Sequence, residues 1–104
     1  MKYKSIYDVI NKSDCTYRND LSKWMIPEEH KNYVESNRPL WIILENKRIN
    51  KRIWVTHDFG VMEIVTAQLD LDAKTREYAE SMRKFNFKNQ SNMADKLKEI
   101  LSVA

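Results

Sequence analysis

Hydrophobic residues in the first third of the chain recur at helical spacing. Four of them stand at positions i, i+3, i+4 and i+7 and so share one helix face: Tyr3, Ile6, Tyr7 and Ile10. We predict a helix over about 5–12, with Ser5 as its N-cap. The same spacing predicts a second short helix that contains Leu21, Trp24 and Met25. A third helix is predicted to begin at Pro27 and to end near Asn37.

The hydrophobic pattern changes after Pro39. Residues 40–44 form an unbroken apolar run that is rich in aromatic and β-branched side chains, which is typical of a buried strand. Residues 53–56 form a second run of this kind, and the polar residues between the two predict a β-hairpin over about 40–57. Residues 61–70 favour a third strand, although a helix over the same residues fits the sequence nearly as well.

The last third of the chain shows two helical patterns. The first is predicted to begin at Asp72, with Glu80 and Lys84 as an i, i+4 ion pair and with one apolar face made of Leu71, Tyr78, Met82 and Phe85. The second is predicted to begin at Ser91 or Asn92, with an apolar face made of Met93, Leu97, Ile100 and Leu101. The predicted fold class is therefore α+β: short N-terminal helices, a small antiparallel sheet and two C-terminal helices.

Composition narrows the functional classes. A chain of 104 residues has the size of one domain with its own core. Gly60 is its only glycine, which excludes the glycine-rich phosphate loops of P-loop and Rossmann proteins. The absence of a long apolar run and of a signal-peptide pattern favours a cytoplasmic protein that does not enter a membrane. The single cysteine, Cys15, cannot form an internal disulfide and is consistent with a reducing compartment.

The positive charge of the chain is concentrated in its middle. The formal net charge is +3, and residues 37–58 alone carry five basic and two acidic side chains. Residues 47–52 supply four of these cations: Lys47, Arg48, Lys51 and Arg52. We predict that they are exposed at the end of the hairpin, where they are candidate contacts to a nucleic acid or to an acidic partner.

Nucleic-acid binding is one interpretation of this basic run. Lysine and arginine neutralise phosphates, and the nearby Trp41 and Trp54 could stack on bases. A basic hairpin after three helices resembles a winged helix-turn-helix. The helix that would enter the groove carries Glu28, Glu29 and Glu35, however, and phosphates would repel these side chains. Both tryptophans also lie in apolar runs, where core packing is the ordinary role.

Short segments of the chain resemble parts of two enzyme families. Glu45 and Lys47 resemble half of the motif of PD-(D/E)xK nucleases, which implies a carboxylate that holds a divalent cation and a lysine on the same strand face. The order of helices, basic hairpin and strand resembles small ribonuclease toxins of the RelE and HigB type, with residues 48–53 and 63–65 as the similar segments. Neither Cys15, His30 nor His57 stands at a metal-binding spacing. We therefore expect no metal, no cofactor and no catalytic residues.

The interpretation that we prefer is a small non-enzymatic regulatory protein that acts through protein–protein contacts. Eleven aromatic residues provide possible interface anchors. The C-terminal helices could also form a homodimer contact. In general style, a small chain rich in lysine, asparagine and tyrosine resembles accessory or inhibitor proteins of phages and mobile elements, which bind host factors.

Overall fold

A computed structural model describes residues 3–13, 15–19, 40–58 and 60–101 of the chain. Within those ranges the chain forms three helices and five strands. In chain order they are α1 (Lys4–Asn11), β1 (Thr16–Asn19), β2 (Leu40–Asn46), β3 (Lys51–Asp58), β4 (Val61–Gln68), α2 (Arg76–Ser81), β5 (Arg83–Phe87) and α3 (Gln90–Leu101). The α+β class is confirmed. The helices predicted around Trp24 and between Pro27 and Asn37 lie outside the described residues.

The five strands form one antiparallel sheet in the order β1-β2-β3-β4-β5. The register places Ile43 opposite Trp54, and Trp54 opposite Val65. The predicted hairpin is confirmed by the pairing of β2 with β3, and residues 61–68 are a strand rather than a helix. Gly60 adopts a left-handed conformation, with φ 76°, between β3 and β4, which glycine tolerates without strain.

One face of the sheet carries the hydrophobic core. Alternate residues of the three central strands are fully buried there: Ile42, Leu44, Ile53, Val55 and Ile64. Helices α1 and α3 pack against each other and cover this face. From α1 come Ile6 and Ile10, and from α3 come Met93, Leu97 and Leu101. The helical faces predicted for both segments therefore supply the core.

The segment after β4 differs from the prediction. The first C-terminal helix is limited to Arg76–Ser81 and is capped by Thr75, whose hydroxyl accepts a hydrogen bond from Tyr78 N. Residues 83–87 form β5, which brings Phe85 and Phe87 to the core while Lys84 and Asn86 stay exposed. The chain gains a strand here because antiparallel pairing satisfies the backbone groups of β4, which a continued helix would leave exposed.

Three local details also change. Glu80 pairs with Arg76 instead of Lys84, and Lys84 pairs with Glu63 on β4. Residues 16–19, for which the hydrophobic pattern predicts no strand, form β1 through antiparallel pairing with β2. Helix α1 begins at Lys4, and the Ser5 hydroxyl donates to Gln90 Oε1 at 2.6 Å instead of capping the helix.

Helix α3 begins at Gln90, slightly before the predicted start. The Asn89 side chain accepts a hydrogen bond from Asn92 N at 2.8 Å, which satisfies one of the free amides of the first turn. All four apolar residues predicted for this helix lie within it. Among the helices of the described residues, none is long and apolar enough to cross a membrane.

Candidate binding site at the basic turn

The segment between β2 and β3, together with the first residue of β3, forms a turn that we call the basic turn, residues 47–51. Asn46, the last residue of β2, is only 1% exposed. Its side-chain oxygen accepts hydrogen bonds from Arg48 N at 3.0 Å and from Ile49 N at 3.4 Å. Its Nδ2 donates to Cys15 Sγ at 3.6 Å. A buried amide therefore fixes the backbone of the turn from below.

Asn50 closes the turn and connects it to the next one. Its backbone N donates to Lys47 O at 3.2 Å, and its φ of 54° lies in the left-handed region that asparagine tolerates well. The Asn50 side chain donates to Asp70 Oδ1 at 3.1 Å and accepts from Asp70 N at 3.0 Å. Leu69 N donates to Asn50 O at 3.1 Å. The basic turn and the loop after β4 are thus held together at one end of the sheet.

The four predicted site residues fall into two groups. Lys47 and Arg48 are exposed at the turn, as predicted, whereas Lys51, at the start of β3, is half-buried rather than exposed. Arg52 departs from the prediction. Its Nη1 donates to the Tyr78 hydroxyl at 3.1 Å, its guanidinium lies 5.9 Å from the centre of that ring, and its Nε lies 3.7 Å from Glu45 Oε1. Arg52 therefore connects α2 to the sheet and is not a free surface cation.

Two shallow depressions lie on either side of the basic turn. One is lined by Thr16, Glu45, Asn46, Lys47 and Arg48. The other is lined by Ile49, Asn50, Lys51, Ala67, Gln68, Ser81 and Arg83. The sequence did not predict Arg83 as a site residue, because it lies far from the basic turn in the chain and within a segment predicted to be helical. The alternation of Arg83, Phe85 and Phe87 was the available signal for a strand that begins at this point.

The two tryptophans lie along the strands rather than at the turn. Trp41 and Trp54 are on the face of the sheet opposite the α1–α3 core, and both are half-buried. Lys51 belongs to the other face, since it precedes Arg52 in the alternation of β3. The two indoles therefore lie on the face of the sheet opposite Lys51.

The geometry does not place Glu45 and Lys47 as the nuclease resemblance implies. Strand β2 ends at Asn46, so Lys47 lies in the turn, while Glu45 is directed towards Arg52. In the described parts of the chain, no group of three or more histidine, cysteine or acidic residues could hold a metal ion.

The start of α1 is joined to β3 by a contact between the buried Tyr3 and the half-buried His57. The Tyr3 hydroxyl lies 2.9 Å from His57 Nδ1, and the two rings meet edge to face. Burial raises the pKa of the Tyr3 hydroxyl, and the nearby Asp58 raises it further. Burial also raises the pKa of Tyr7, with a smaller contribution from Tyr17. Both hydroxyls are therefore held in their neutral forms at ordinary pH.

Comparisons with protein-family models, with curated proteins and with solved structures find no match to this chain. The chemistry of the basic turn is therefore the main guide to function. Ammonium and guanidinium groups form charge-assisted hydrogen bonds with carboxylates and phosphates. The fixed backbone beneath Lys47 and Arg48 lowers the entropy that would be lost when these groups bind an anion.

Proposed function

We propose that this chain is a non-enzymatic regulatory domain that binds an acidic surface of a protein partner through its basic turn. The observation that carries the proposal is the hydrogen-bonded frame around the turn. The buried Asn46 and the paired Asn50 hold its backbone, so that Lys47, Arg48 and Lys51 project from a fixed backbone. Such a preorganised patch suits recognition of a defined acidic surface.

The number of cations favours a protein over a nucleic acid. Duplex DNA carries one charge per roughly 1.7 Å, and proteins with a strong electrostatic contribution to DNA binding neutralise several phosphates at once, for example about 6–10. At this end of the sheet the described residues offer Lys47, Arg48, Lys51 and Arg83. The carboxylates of Glu45 and Asp70 stand next to them and would repel a phosphate chain. A mixed patch of this kind is better matched by a protein surface with a few acidic side chains.

Nucleic-acid binding is the second candidate, and the exposure of Lys47 and Arg48 is the observation that favours it. The ribonuclease-toxin resemblance and the homodimer stay predictions from the sequence. No contact among the described residues adds to either of them.

Affinity capture from native cell extract tests the proposal, with and without nuclease. The test protein is the double variant Lys47→Ser and Arg48→Ser, and the matched control is Lys74→Ser with Lys88→Ser, two exposed lysines outside the basic turn. We expect the wild type and the control to retain the same protein after nuclease treatment, and the double variant to lose it. Retention that disappears with nuclease would instead support the second candidate, and equal retention by all three proteins would contradict both.

A gel-shift series on mixed DNA and RNA pools complements the capture. If nucleic acid is the ligand, binding is steep in salt, and the logarithmic slope shrinks by up to about 0.9 for each phosphate contact that the double variant loses. Under the proposed function we expect only weak binding, with similar salt slopes for the double variant and for the lysine control.

A further inference from the structure

We infer that the depression between the basic turn and α2 is a subsite for a single carboxylate, supplied by an aspartate or glutamate side chain of the partner. The subsite is made chiefly by Lys51, Gln68, Ser81 and Arg83. This inference rests on the proposed function, because it names the chemical group of the protein partner that the basic end of the sheet would bind.

The subsite brings together the ends of three neighbouring strands. Lys51 is the first residue of β3 and lies directly opposite Gln68, the last residue of β4. Arg83 is the first residue of β5 and pairs with Thr66, two positions before Gln68. Residues more than 30 positions apart in the sequence thus line one depression, and none of its lining residues is acidic. Two positive charges in a concave polar site attract an anion.

The wall formed by α2 and β5 is held in place. Arg83 Nη1 donates to Glu80 O and to Met82 O, both at 2.8 Å, which orients the guanidinium plane at the end of α2. The Ser81 hydroxyl donates to Tyr78 O at 2.6 Å and accepts from Gln68 N at 3.0 Å. These bonds use one guanidinium nitrogen of Arg83. An oriented guanidinium can offer its remaining N–H groups to a carboxylate with little loss of entropy.

Lys51 supplies the second charge of the subsite. In the part of the chain that the structure describes, no acidic side chain and no hydrogen-bond acceptor pairs with its ammonium group. The nearest acidic group of the adjoining loop, Asp70, is instead bonded to Asn50. The lysine is therefore available to a carboxylate from outside the chain.

A carboxylate is preferred to a phosphate because of the proposed partner. A dianionic phosphate would feel about twice the repulsion from Asp70 and Glu80 and also about twice the attraction to Lys51 and Arg83, so charge does not separate the two ligands. A carboxylate is the anionic group that an acidic protein surface supplies, and its two oxygens match the remaining N–H groups of the Arg83 guanidinium.

Titration of the full-length, isotope-labelled chain with a hexaglutamate peptide, followed by NMR, tests the subsite. Hexaglutamine and inorganic phosphate are the comparison probes. We expect hexaglutamate to shift the amide resonances of Asn50, Lys51, Gln68 and Ser81 more than hexaglutamine does. We expect Lys51→Gln to raise the dissociation constant about tenfold, as the loss of one charge-assisted contact implies, and Lys88→Gln to leave it within about twofold.

Arg83→Gln is a second test variant, and Arg83→Lys keeps its charge if the loss of the bonds to α2 disturbs the fold. Unchanged affinity in Lys51→Gln, or shifts that map elsewhere on the sheet, would overturn the subsite. Tighter binding of phosphate than of hexaglutamate at equal ionic strength would overturn its assignment to a carboxylate. The two proposals can fail separately. If protein capture depends on Lys47 and Arg48 but hexaglutamate does not bind at the subsite, only the subsite is contradicted. If hexaglutamate binds at the subsite but no protein is captured, only the proposed function is contradicted.

Discussion

Asn46 is the residue on which the shape of the basic turn depends most directly. Its side chain is almost completely buried and accepts two backbone hydrogen bonds from the turn. Replacement by alanine leaves those amide groups without their partner, so we expect Asn46→Ala to lower the free energy of unfolding by about 1–3 kcal/mol. Urea denaturation followed by circular dichroism measures this change.

Asn86→Ala is the matched control for this prediction. Asn86 also lies on a strand, but it is exposed, and its side-chain hydrogen bond to Glu63 is long, at 3.5 Å. Its replacement should change the free energy of unfolding by less than about 0.5 kcal/mol. Equal effects of the two substitutions would show that the Asn46 amide does not organise the turn.

Arg52 and Lys47 should respond differently to the same substitution. Arg52→Ser removes a charged hydrogen bond to Tyr78 and the contact with Glu45, in a side chain that is 25% exposed. We expect it to destabilise the fold by about 1–2 kcal/mol, whereas Lys47→Ser should stay within about 0.5 kcal/mol because the lysine is exposed at the turn. Thermal and urea denaturation of both variants measure the difference. A neutral Arg52→Ser would mean that the guanidinium contributes nothing to the docking of α2.

At the level of elements, strands made of apolar runs could be predicted from the sequence, whereas a strand that mixes polar and apolar residues could not. Strand β2 is buried along most of its length and β3 at alternate positions, and the apolar, aromatic and β-branched side chains of residues 40–44 and 53–56 were enough to predict both strands. Strand β5 contains Arg83, Lys84 and Asn86, and it forms because β4 offers it an unpaired edge. Tertiary pairing of this kind leaves only a weak trace in local sequence.

Helix α3 is the element whose removal should lower the stability of the fold the most. Three of its side chains are fully buried: Met93, Leu97 and Leu101. Burial of such side chains is worth about 1.5–3 kcal/mol each, and the stability of a small domain is only about 5–15 kcal/mol in total. We expect a chain that ends after Lys88 to lose its cooperative thermal transition, while Lys98→Ala, an exposed change in the same helix, should keep it. Sharp, dispersed NMR signals from the shortened chain would contradict this prediction.

At the scale of the whole molecule, one part of the candidate site could be predicted from the sequence and another part could not. The run of cations in residues 47–52 was visible because its members are adjacent in the chain. Two further features of the site become visible only in the folded structure. Arg52 turns away to Tyr78, which belongs to a helix 26 residues later, and Arg83 joins the site only because β5 pairs with β4. Contacts between residues so distant in sequence cannot be read from local patterns.

The stability of the whole molecule should decrease in alkaline solution through its buried tyrosines. In the unfolded chain Tyr3 and Tyr7 have the ordinary tyrosine pKa of 10.0, and burial raises the pKa of both in the folded chain. The unfolded chain therefore loses these protons first, and the stabilising contribution, complete below pH 10, declines as the pH rises from there through the folded pKa.

The double variant Tyr3→Phe and Tyr7→Phe removes this contribution. It should be less stable than the wild type at pH 8, because it lacks the contact between the Tyr3 hydroxyl and His57. Between about pH 9 and pH 11.5 it should lose less stability than the wild type, because phenylalanine does not titrate. Urea denaturation across this range measures the stability of both proteins as a function of pH. If the stability of the two proteins decreases equally with pH, neither tyrosine contributes to the pH dependence of folding.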